Sequence, residues 1–141
     1  MVTVIDMQLM RYINLFSRIS NVSTKNCFVY NGQIVFAVPS AQVSQAIGRD
    51  ATNVKKLRDI LRKKIKIVAM PAKDNKEGIA KFVGSVVEPL EFNSIEVKDS
   101  SITINAGRQS KAALIGRNRT REKELSDVLK NYFGLTKLKI A

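Results

Sequence analysis

The chain has 141 residues, and its 24 Lys and Arg residues outnumber its 12 Asp and Glu residues, which gives a net charge of +12. A hydrophobic fraction of 45% is ordinary for a globular protein and argues against a disordered chain, while the positive charge favours a polyanionic partner, nucleic acid before an anionic membrane surface. Cys27 is the only cysteine and histidine is absent, so an internal disulfide is excluded and the commonest general base and metal ligand are missing.

The first third of the sequence predicts a helix followed by a β-hairpin. Apolar residues recur at helical spacing over about residues 4–19. Residues 21–30 and 33–38 then have the composition of two strands. The dipeptide between them, Asn31-Gly32, favours a two-residue hairpin turn because both residue types tolerate a positive φ.

A glycine separates the next two predicted helices. A short helix runs through Ala46, Gly48 interrupts it, and Thr52 stands where it can cap the helix that follows. Three apolar residues are predicted to form the inner face of that second helix: Val54, Leu57 and Leu61. Residues 64–70 alternate charged and apolar side chains, which favours a strand with one solvated face.

The second half repeats this order after a short break at residues 71–74. It begins with a helix whose apolar stripe is Ile79, Phe82, Val83 and Val86. Two strands with a turn at Asp99-Ser100 follow, and then a short helix reaches Gly116. Thr120 is predicted to cap the next helix and Gly134 to end it, before a last strand at residues 137–140. The inner face of that helix is Leu125, Val128, Leu129, Tyr132 and Phe133.

The repeat indicates two tandem domains. Residues 46–54 recur, altered, as residues 114–122, so the two glycines are 68 residues apart, a period too long for a solenoid unit. We expect two α+β domains, residues 1–71 and 72–141, each with the order α-β-β-α-α-β and a three-stranded sheet covered by helices. The other sheet face, with its lysines, is expected to meet solvent, and the short break predicts that the domains act as one platform.

Each glycine turn has features that suit phosphate binding. Glycine lets the backbone approach a ligand without a Cβ in the way, and the following helix begins with unpaired N–H groups and a positive dipole end. Arg49 in the first turn, and Arg117 and Arg119 in the second, add positive charge. Three apolar side chains form a floor on which bases can rest: Ile47 with Val54, and Ile115.

Positive charge is concentrated in the first domain. Residues 1–70 carry 11 basic and 3 acidic side chains, a net +8, whereas residues 71–141 carry 13 and 9, a net +4. The basic residues that follow the first turn are Lys55, Lys56, Arg58, Arg62, Lys63, Lys64 and Lys66, interrupted by Asp59. The first domain is therefore expected to contribute more to electrostatic binding.

The element order and the position of the turn resemble the type II KH domain, in which a Gly-x-x-Gly loop between two helices clamps about four nucleotides of single-stranded RNA or DNA. Residues 47–54 match an Ile-Gly-x-x-Gly-x-Asn-Val pattern except at Ala51, a small change that still allows close approach of a phosphate. Residues 115–119 keep only the first glycine. Arg119 either blocks the second clamp or replaces a backbone contact by an ion pair to phosphate.

The tandem pair resembles the NusA family of transcription termination and antitermination factors, in its short archaeal form with two KH domains. This resemblance covers nearly the whole chain. It implies a non-catalytic factor that binds single-stranded RNA in transcription elongation, termination or antitermination, with RNA polymerase or the transcription complex as a further partner. The RNA-binding residues implied at the two turns are Ile47, Gly48, Arg49, Asp50, Ala51, Asn53, Lys55, Lys56, Ile115, Gly116, Arg117, Asn118, Arg119 and Arg121.

Other functions fit parts of the sequence. A ribosome-associated or RNA-processing KH protein would carry the same motifs, because a fold does not determine its biological partner. Helix-turn-helix DNA binding is disfavoured, since the arginines lie at the turn rather than along a recognition helix. An enzyme is disfavoured because the sequence has no P-loop, metal-ligand cluster or nucleophilic triad. A docking role for the second domain is the further alternative if its loop has lost RNA binding.

The sequence predicts a cytoplasmic monomer without a cofactor or a bound metal. A single cysteine suits a reducing compartment, and Cys27 is expected to be a small core residue. Neither a secretory signal nor a run of roughly 20 apolar residues is found, so no membrane partner is expected.

Overall fold

The computed structural model describes residues 4–72, 75–88 and 90–141, and for residues 4–6 it describes the backbone alone. The chain divides into two compact units, unit 1 (Met1–Met70) and unit 2 (Pro71–Ala141). The described residues form six α-helices and two three-stranded sheets, so the protein belongs to the α+β class.

Unit 1 follows the predicted order of helix, two strands, two helices and strand. Its elements are α1 (Val4–Ser20), β1 (Asn26–Tyr30), β2 (Gln33–Val38), α2 (Val43–Ile47), α3 (Thr52–Leu61) and β3 (Ile65–Ala69). In the sheet, β2 is central, antiparallel to β1 and parallel to β3. The parallel pairing follows from the connection, because α2 and α3 carry the chain back before β3 begins.

Unit 2 repeats this architecture. Its elements are α4 (Lys76–Val87), β4 (Ser94–Lys98), β5 (Ser101–Asn105), α5 (Arg108–Ile115), α6 (Thr120–Phe133) and β6 (Lys137–Ile140). The central strand β5 is antiparallel to β4 and parallel to β6. Gly134 ends α6 in the left-handed conformation, with φ of 69°, which confirms the predicted stop.

The first hairpin turn is the one that its sequence predicts. Tyr30 pairs with Gln33, which leaves two residues in the turn. Asn31 and Gly32 have φ of 50° and 74°. Positive φ at both positions matches the twist of the flanking strands, as in a type I′ turn.

The first strand is shorter than predicted. Asn21 has φ of 59°, and its N–H closes the last turn of α1, so it ends the helix instead of opening a strand. Ser20 Oγ donates to Phe16 O at 2.7 Å and accepts from the Val22 N–H at 3.1 Å. These local hydrogen bonds compete with strand pairing, so β1 begins only at Asn26 and the prediction was wrong for its first five residues.

Helices pack on one face of each sheet. In unit 1, the ring of Phe16 stacks on that of Phe36 with centroids 4.3 Å apart. In unit 2, Phe82 and Phe133 meet edge to face at 5.2 Å. Cys27 lies in the buried core of unit 1, which confirms its predicted structural role.

The sheet faces that lie away from the helices differ in burial between the two units. In unit 2, Ile102 and Ile104 are buried while Thr103 between them is partly exposed. In unit 1, Val35 and Ala37 are as fully buried as the helix-facing residues of β2. The prediction of a solvated second face was therefore wrong for β2, whose continuous apolar run is typical of a strand buried on both sides.

Candidate nucleic-acid interface

Gly48 ends α2 in a conformation that glycine alone adopts readily, with φ of 82° and ψ of 167°. Its N–H donates to Ser44 O at 3.0 Å, and its carbonyl accepts from the Ala51 N–H at 3.2 Å. Asp50 and Ala51 are both left-handed, with φ of 55° and 58°. Three residues, Arg49–Ala51, thus join α2 to α3, and two of them are left-handed.

The Gly116 turn has the same backbone conformation. Gly116 has φ of 76° and ψ of 172°, and its N–H donates to Ala112 O at 3.0 Å. Asn118 and Arg119 are left-handed, with φ of 56° and 60°, and the Arg119 N–H donates to Gly116 O at 3.2 Å. Arg119, in place of the expected second glycine, therefore leaves the backbone path unchanged.

A side chain from α3 lies against Gly48. Asn53 Nδ2 donates to Gln45 O and Ala46 O, each at 3.2 Å. These carbonyls belong to the end of α2, where no helical partner is left for them. A Cβ on Gly48 would lie 2.9 Å from Asn53 Nδ2, so this contact also requires glycine.

Arg121 occupies the matching place in unit 2. Its Nη1 donates to Ala113 O at 3.2 Å, and a Cβ on Gly116 would lie 3.0 Å from Arg121 Cγ. The resemblance names Asn53 and Arg121 as RNA-binding residues, yet both side chains already have hydrogen-bond partners within the fold. Nothing in the sequence marks these contacts, because they join residues seven or eight positions apart on two helices.

The two threonines do not cap their helices as predicted. Thr52 Oγ1 donates to the carbonyl oxygen of Arg49, and Thr120 Oγ1 donates to that of the matching arginine at 2.8 Å. An N-cap side chain accepts from a helix N–H, whereas these hydroxyls donate, so the prediction was wrong. The N-cap positions are Ala51 and Arg119, and neither side chain makes a capping hydrogen bond.

The absence of capping side chains matters for the first turns of α3 and α6. The N–H groups of Thr52 and Thr120 donate to Arg49 O and Arg117 O within the turns. The next N–H groups of each helix have no acceptor supplied by the N-cap residue. The helix dipole places a partial positive charge at the same end. Both helices therefore present an arrangement that attracts phosphate.

Charge at the two turns differs in detail. Arg49 and Asp50 are exposed neighbours in the first turn, so the turn itself carries one cation and one carboxylate. The second turn carries two cations, Arg117 and Arg119, around the neutral Asn118. The Gly116 turn is therefore the more cationic one, although the first unit has the larger overall charge.

One ion pair lies at the second turn. Arg119 Nη1 is 4.0 Å from Glu122 Oε1, and 74% of the arginine side chain is exposed. An exposed pair of this kind contributes little stability and leaves the arginine available to a phosphate. At the first turn, two exposed lysines on α3 supply the corresponding charge: Lys55 and Lys56.

The predicted apolar floor is partly accessible. Ile47, Val54 and Ile115 are each half-buried. Ala46 and Leu114, which directly precede the two isoleucines, are fully buried. Each isoleucine thus lies at the boundary between core and surface, where it can touch a base.

Other kinds of site find little support. Among the described residues, no group of three or more His, Cys, Asp or Glu side chains is placed to hold a metal ion. In the same part of the chain, no helix is both long and apolar enough to cross a membrane. Cys27 is 3% exposed, and burial raises the pKa of its thiol from 9.0 to about 12, which disfavours the reactive thiolate.

Known proteins resemble the chain over most of its length. Two are named probable transcription termination protein NusA. That of Halococcus morrhuae is 25% identical over 112 residues, 77% of either chain. That of Methanocaldococcus jannaschii is 24% identical over 132 residues, 91% of this chain and 69% of the relative. The chain therefore resembles NusA, as its sequence motifs indicate.

A solved structure agrees with the fold. The crystal structure of APE1850 superimposes with a TM-score of 0.68 and 28% sequence identity, covering 99% of this chain and 100% of that one. No protein-family model matches the chain.

Proposed function

We propose that the chain is a non-catalytic factor that binds single-stranded RNA in transcription elongation, termination or antitermination. In this proposal residues 1–71 and 72–141 are two type II KH domains, which hold RNA by its backbone at the Gly48 and Gly116 turns. The observation that carries the proposal is the shared backbone of these turns, each followed by a helix without a side-chain cap.

RNA phosphates bind at the start of α3 and α6. The N–H groups of the first helical turn that follow Thr52 and Thr120 donate to phosphate oxygens, and the helix dipole adds attraction. Gly48 and Gly116 allow the RNA backbone to come close because they carry no Cβ. Arg49 and Arg117, which directly follow the glycines and are exposed, pair with neighbouring phosphates.

Bases lie beside the turns. The half-buried Ile47 and Ile115 offer apolar contact to base faces. Asp50 and Asn118 occupy matching left-handed positions, but a carboxylate only accepts hydrogen bonds whereas an amide both donates and accepts. The two turns therefore prefer different base edges.

Asn53 and Arg121 act by positioning the turns. Each ties the helix that follows the turn to the end of the helix that precedes it. Arg121 has further N–H groups that can reach phosphate, and Arg119 supplies a side-chain cation where a second glycine would supply only backbone. Lys55 and Lys56 extend the positive surface along α3.

Two independent lines support this proposal. The element order α-β-β-α-α-β, with the glycine turn between its second and third helices, is that of the type II KH domain. The transcription role rests on the names of the relatives, which are probable transcription termination proteins. A cytoplasmic location and contact with RNA polymerase or the transcription complex belong to the same proposal.

Fluorescence anisotropy with a labelled single-stranded RNA tests the function. We expect Gly48→Asp and Gly116→Asp each to weaken binding, because the new Cβ would block the approach of the phosphate and the carboxylate would repel it. Gly32→Asp is the matched control, since Gly32 also has positive φ but lies in a hairpin turn with open space around it. Equal binding by all three variants and the wild type would contradict the proposal.

Two further measurements make that result specific. Thermal unfolding of each variant separates lost binding from lost folding. The double variant Arg49→Gln/Lys56→Gln removes two cations from the binding surface and leaves the glycines unchanged, so it tests that surface without backbone strain. Competition with duplex DNA of the same length tests the helix-turn-helix alternative. Preference for the duplex would favour a groove reader and contradict the clamp.

A further inference from the structure

A basic groove lies at the far end of α3 from the Gly48 turn. It is lined by Arg58, Asp59, Arg62, Lys63 and Lys64. Because α3 has 10 residues, the groove is roughly 15 Å from the turn along the helix axis. All five side chains are exposed, and none of them forms an ion pair with another described residue.

The backbone around the groove is held in place. The carbonyl of Lys64 accepts from the Ile34 N–H of β2 at 2.9 Å, which joins the segment after α3 to the sheet. The Arg62 N–H donates to Arg58 O at 2.8 Å. The cations therefore project from an ordered backbone segment. Binding a ligand there costs less conformational entropy than binding to a flexible loop.

Arg62 occupies a conformation that favours glycine. It ends α3 with φ of 58° and ψ of 32°, whereas α6 ends at Gly134 with φ of 69° and ψ of 18°. The left-handed conformation strains a residue that has a Cβ. Unit 1 therefore has an arginine at a position where glycine would remove this strain.

The corresponding surface of unit 2 has a different charge. The residues 68 positions after those that line the groove are Ser126, Asp127, Lys130, Asn131 and Tyr132. These residues carry one cation and one carboxylate, against four cations and one carboxylate in unit 1. The basic groove is therefore a property of unit 1 and not a consequence of the fold.

We infer that this groove binds phosphates of the same single-stranded RNA, outside the nucleotides held at the Gly48 turn. The inference rests on the proposed function, because it takes RNA as the ligand. Several cations without carboxylate partners suit a chain of phosphates, whose binding releases condensed counterions. Since a KH loop clamps about four nucleotides, the groove contributes only when the RNA is longer.

The test compares a labelled 5-nucleotide with a labelled 15-nucleotide oligouridylate in salt titrations. The groove variant is Arg62→Gln/Lys63→Gln/Lys64→Gln, and the control removes the same charge from unit 2 as Lys123→Gln/Lys130→Gln/Lys139→Gln. For single strands, each lost phosphate contact makes the negative slope of log K against log salt shallower by about 0.7. The groove variant removes three cations, so its slope with the longer RNA should be shallower by about 2. Its affinity for the shorter RNA should not change.

Arg62→Gly gives a second test, whose expected result differs from that of misfolding. It should raise the melting temperature, because the strain disappears, and at the same time weaken binding of the 15-nucleotide RNA. Equal losses in the groove variant and the unit 2 control, or no loss in either, would overturn the inference. Gly48→Asp keeps the two proposals apart: if it leaves 5-nucleotide binding intact the clamp fails, whatever the groove variant does.

Discussion

Asn53 and Arg121 make the same contact with the preceding helix through different chemical groups. Asn53 Nδ2 donates to Gln45 O and Arg121 Nη1 donates to Ala113 O, both at 3.2 Å and both across eight residues of sequence. An amide and a guanidinium share little except an N–H donor, which is what the exposed end of the preceding helix lacks. The donor, and not the residue type, is therefore the requirement at this position.

Substitutions at Asn53 should follow donor capacity. We expect Asn53→Ala to cost about 1 kcal/mol in the free energy of unfolding, and Asn53→Asp to cost on the order of 2 kcal/mol because a carboxylate would face two carbonyl oxygens. Asn53→Arg, which copies unit 2, should retain more stability than Asn53→Asp. Denaturant unfolding measures all three, and equal stability of the Asp and Arg variants would contradict the role of the donor.

Glycine at the second loop position should stabilise both turns. Ala51 and Arg119 are left-handed, so Ala51→Gly and Arg119→Gly should each raise the free energy of unfolding by roughly 0.5–1 kcal/mol. Ala112→Gly is the control of opposite sign, because Ala112 is exposed within α5 and glycine there costs about 1 kcal/mol. Chemical denaturation checks the signs. Destabilisation by all three changes would show that the left-handed strain is absent.

Alanine at the first loop glycine should destabilise each unit. Gly48→Ala and Gly116→Ala place a Cβ within 3.0 Å of a neighbouring side chain in a region that only glycine tolerates, and each should cost roughly 1–3 kcal/mol. Gly84→Ala is the matched control, since it lies inside α4 where the new Cβ would meet Phe92 at an ordinary 3.5 Å. Alanine should be neutral or stabilising there. Thermal unfolding of the three variants decides the matter, and a loss at Gly84 as large as at Gly48 would contradict this account.

Ionisation of the Cys27 thiol should lower the free energy of unfolding at alkaline pH. Burial raises its pKa from 9.0 to about 12, so the unfolded chain loses this proton first and stability falls as pH rises through that window. The contribution is complete below about pH 9. Unfolding free energies between pH 8 and 11 should therefore decline more steeply for the wild type than for Cys27→Ala. Identical slopes would mean that the thiol titrates normally, and rapid thiol labelling at pH 8 in the folded state would agree with that.

Local patterns predicted most of the elements for identifiable reasons. Asn31-Gly32 produced a two-residue turn because both residues accept positive φ. The apolar stripe at Ile79, Phe82 and Val83 became the buried face of α4 because helical spacing places those side chains together. Such features depend on neighbours within a few residues.

Competition between alternative local hydrogen bonds decided two features that the sequence did not predict. The direction of the Thr52 hydrogen bond depends on which group lies nearest its hydroxyl once Asp50 and Ala51 adopt left-handed conformations. The start of β1 depends on competition between a helix end and a strand. Neither competition can be resolved from residue order, because each side offers a local hydrogen bond of similar strength.

The sequence by itself determined the duplication, the positive charge and the two glycines, since a repeat, a count and a missing Cβ are properties of the chain. The tertiary structure alone revealed that the two turns share a conformation despite Ala51 and Arg119. It also brought Asn53 and Arg121 onto carbonyls eight residues away, and it set four cations of unit 1 around one groove. The physical reason is that a backbone path and a side-chain contact depend on where two helices meet, which no single segment specifies.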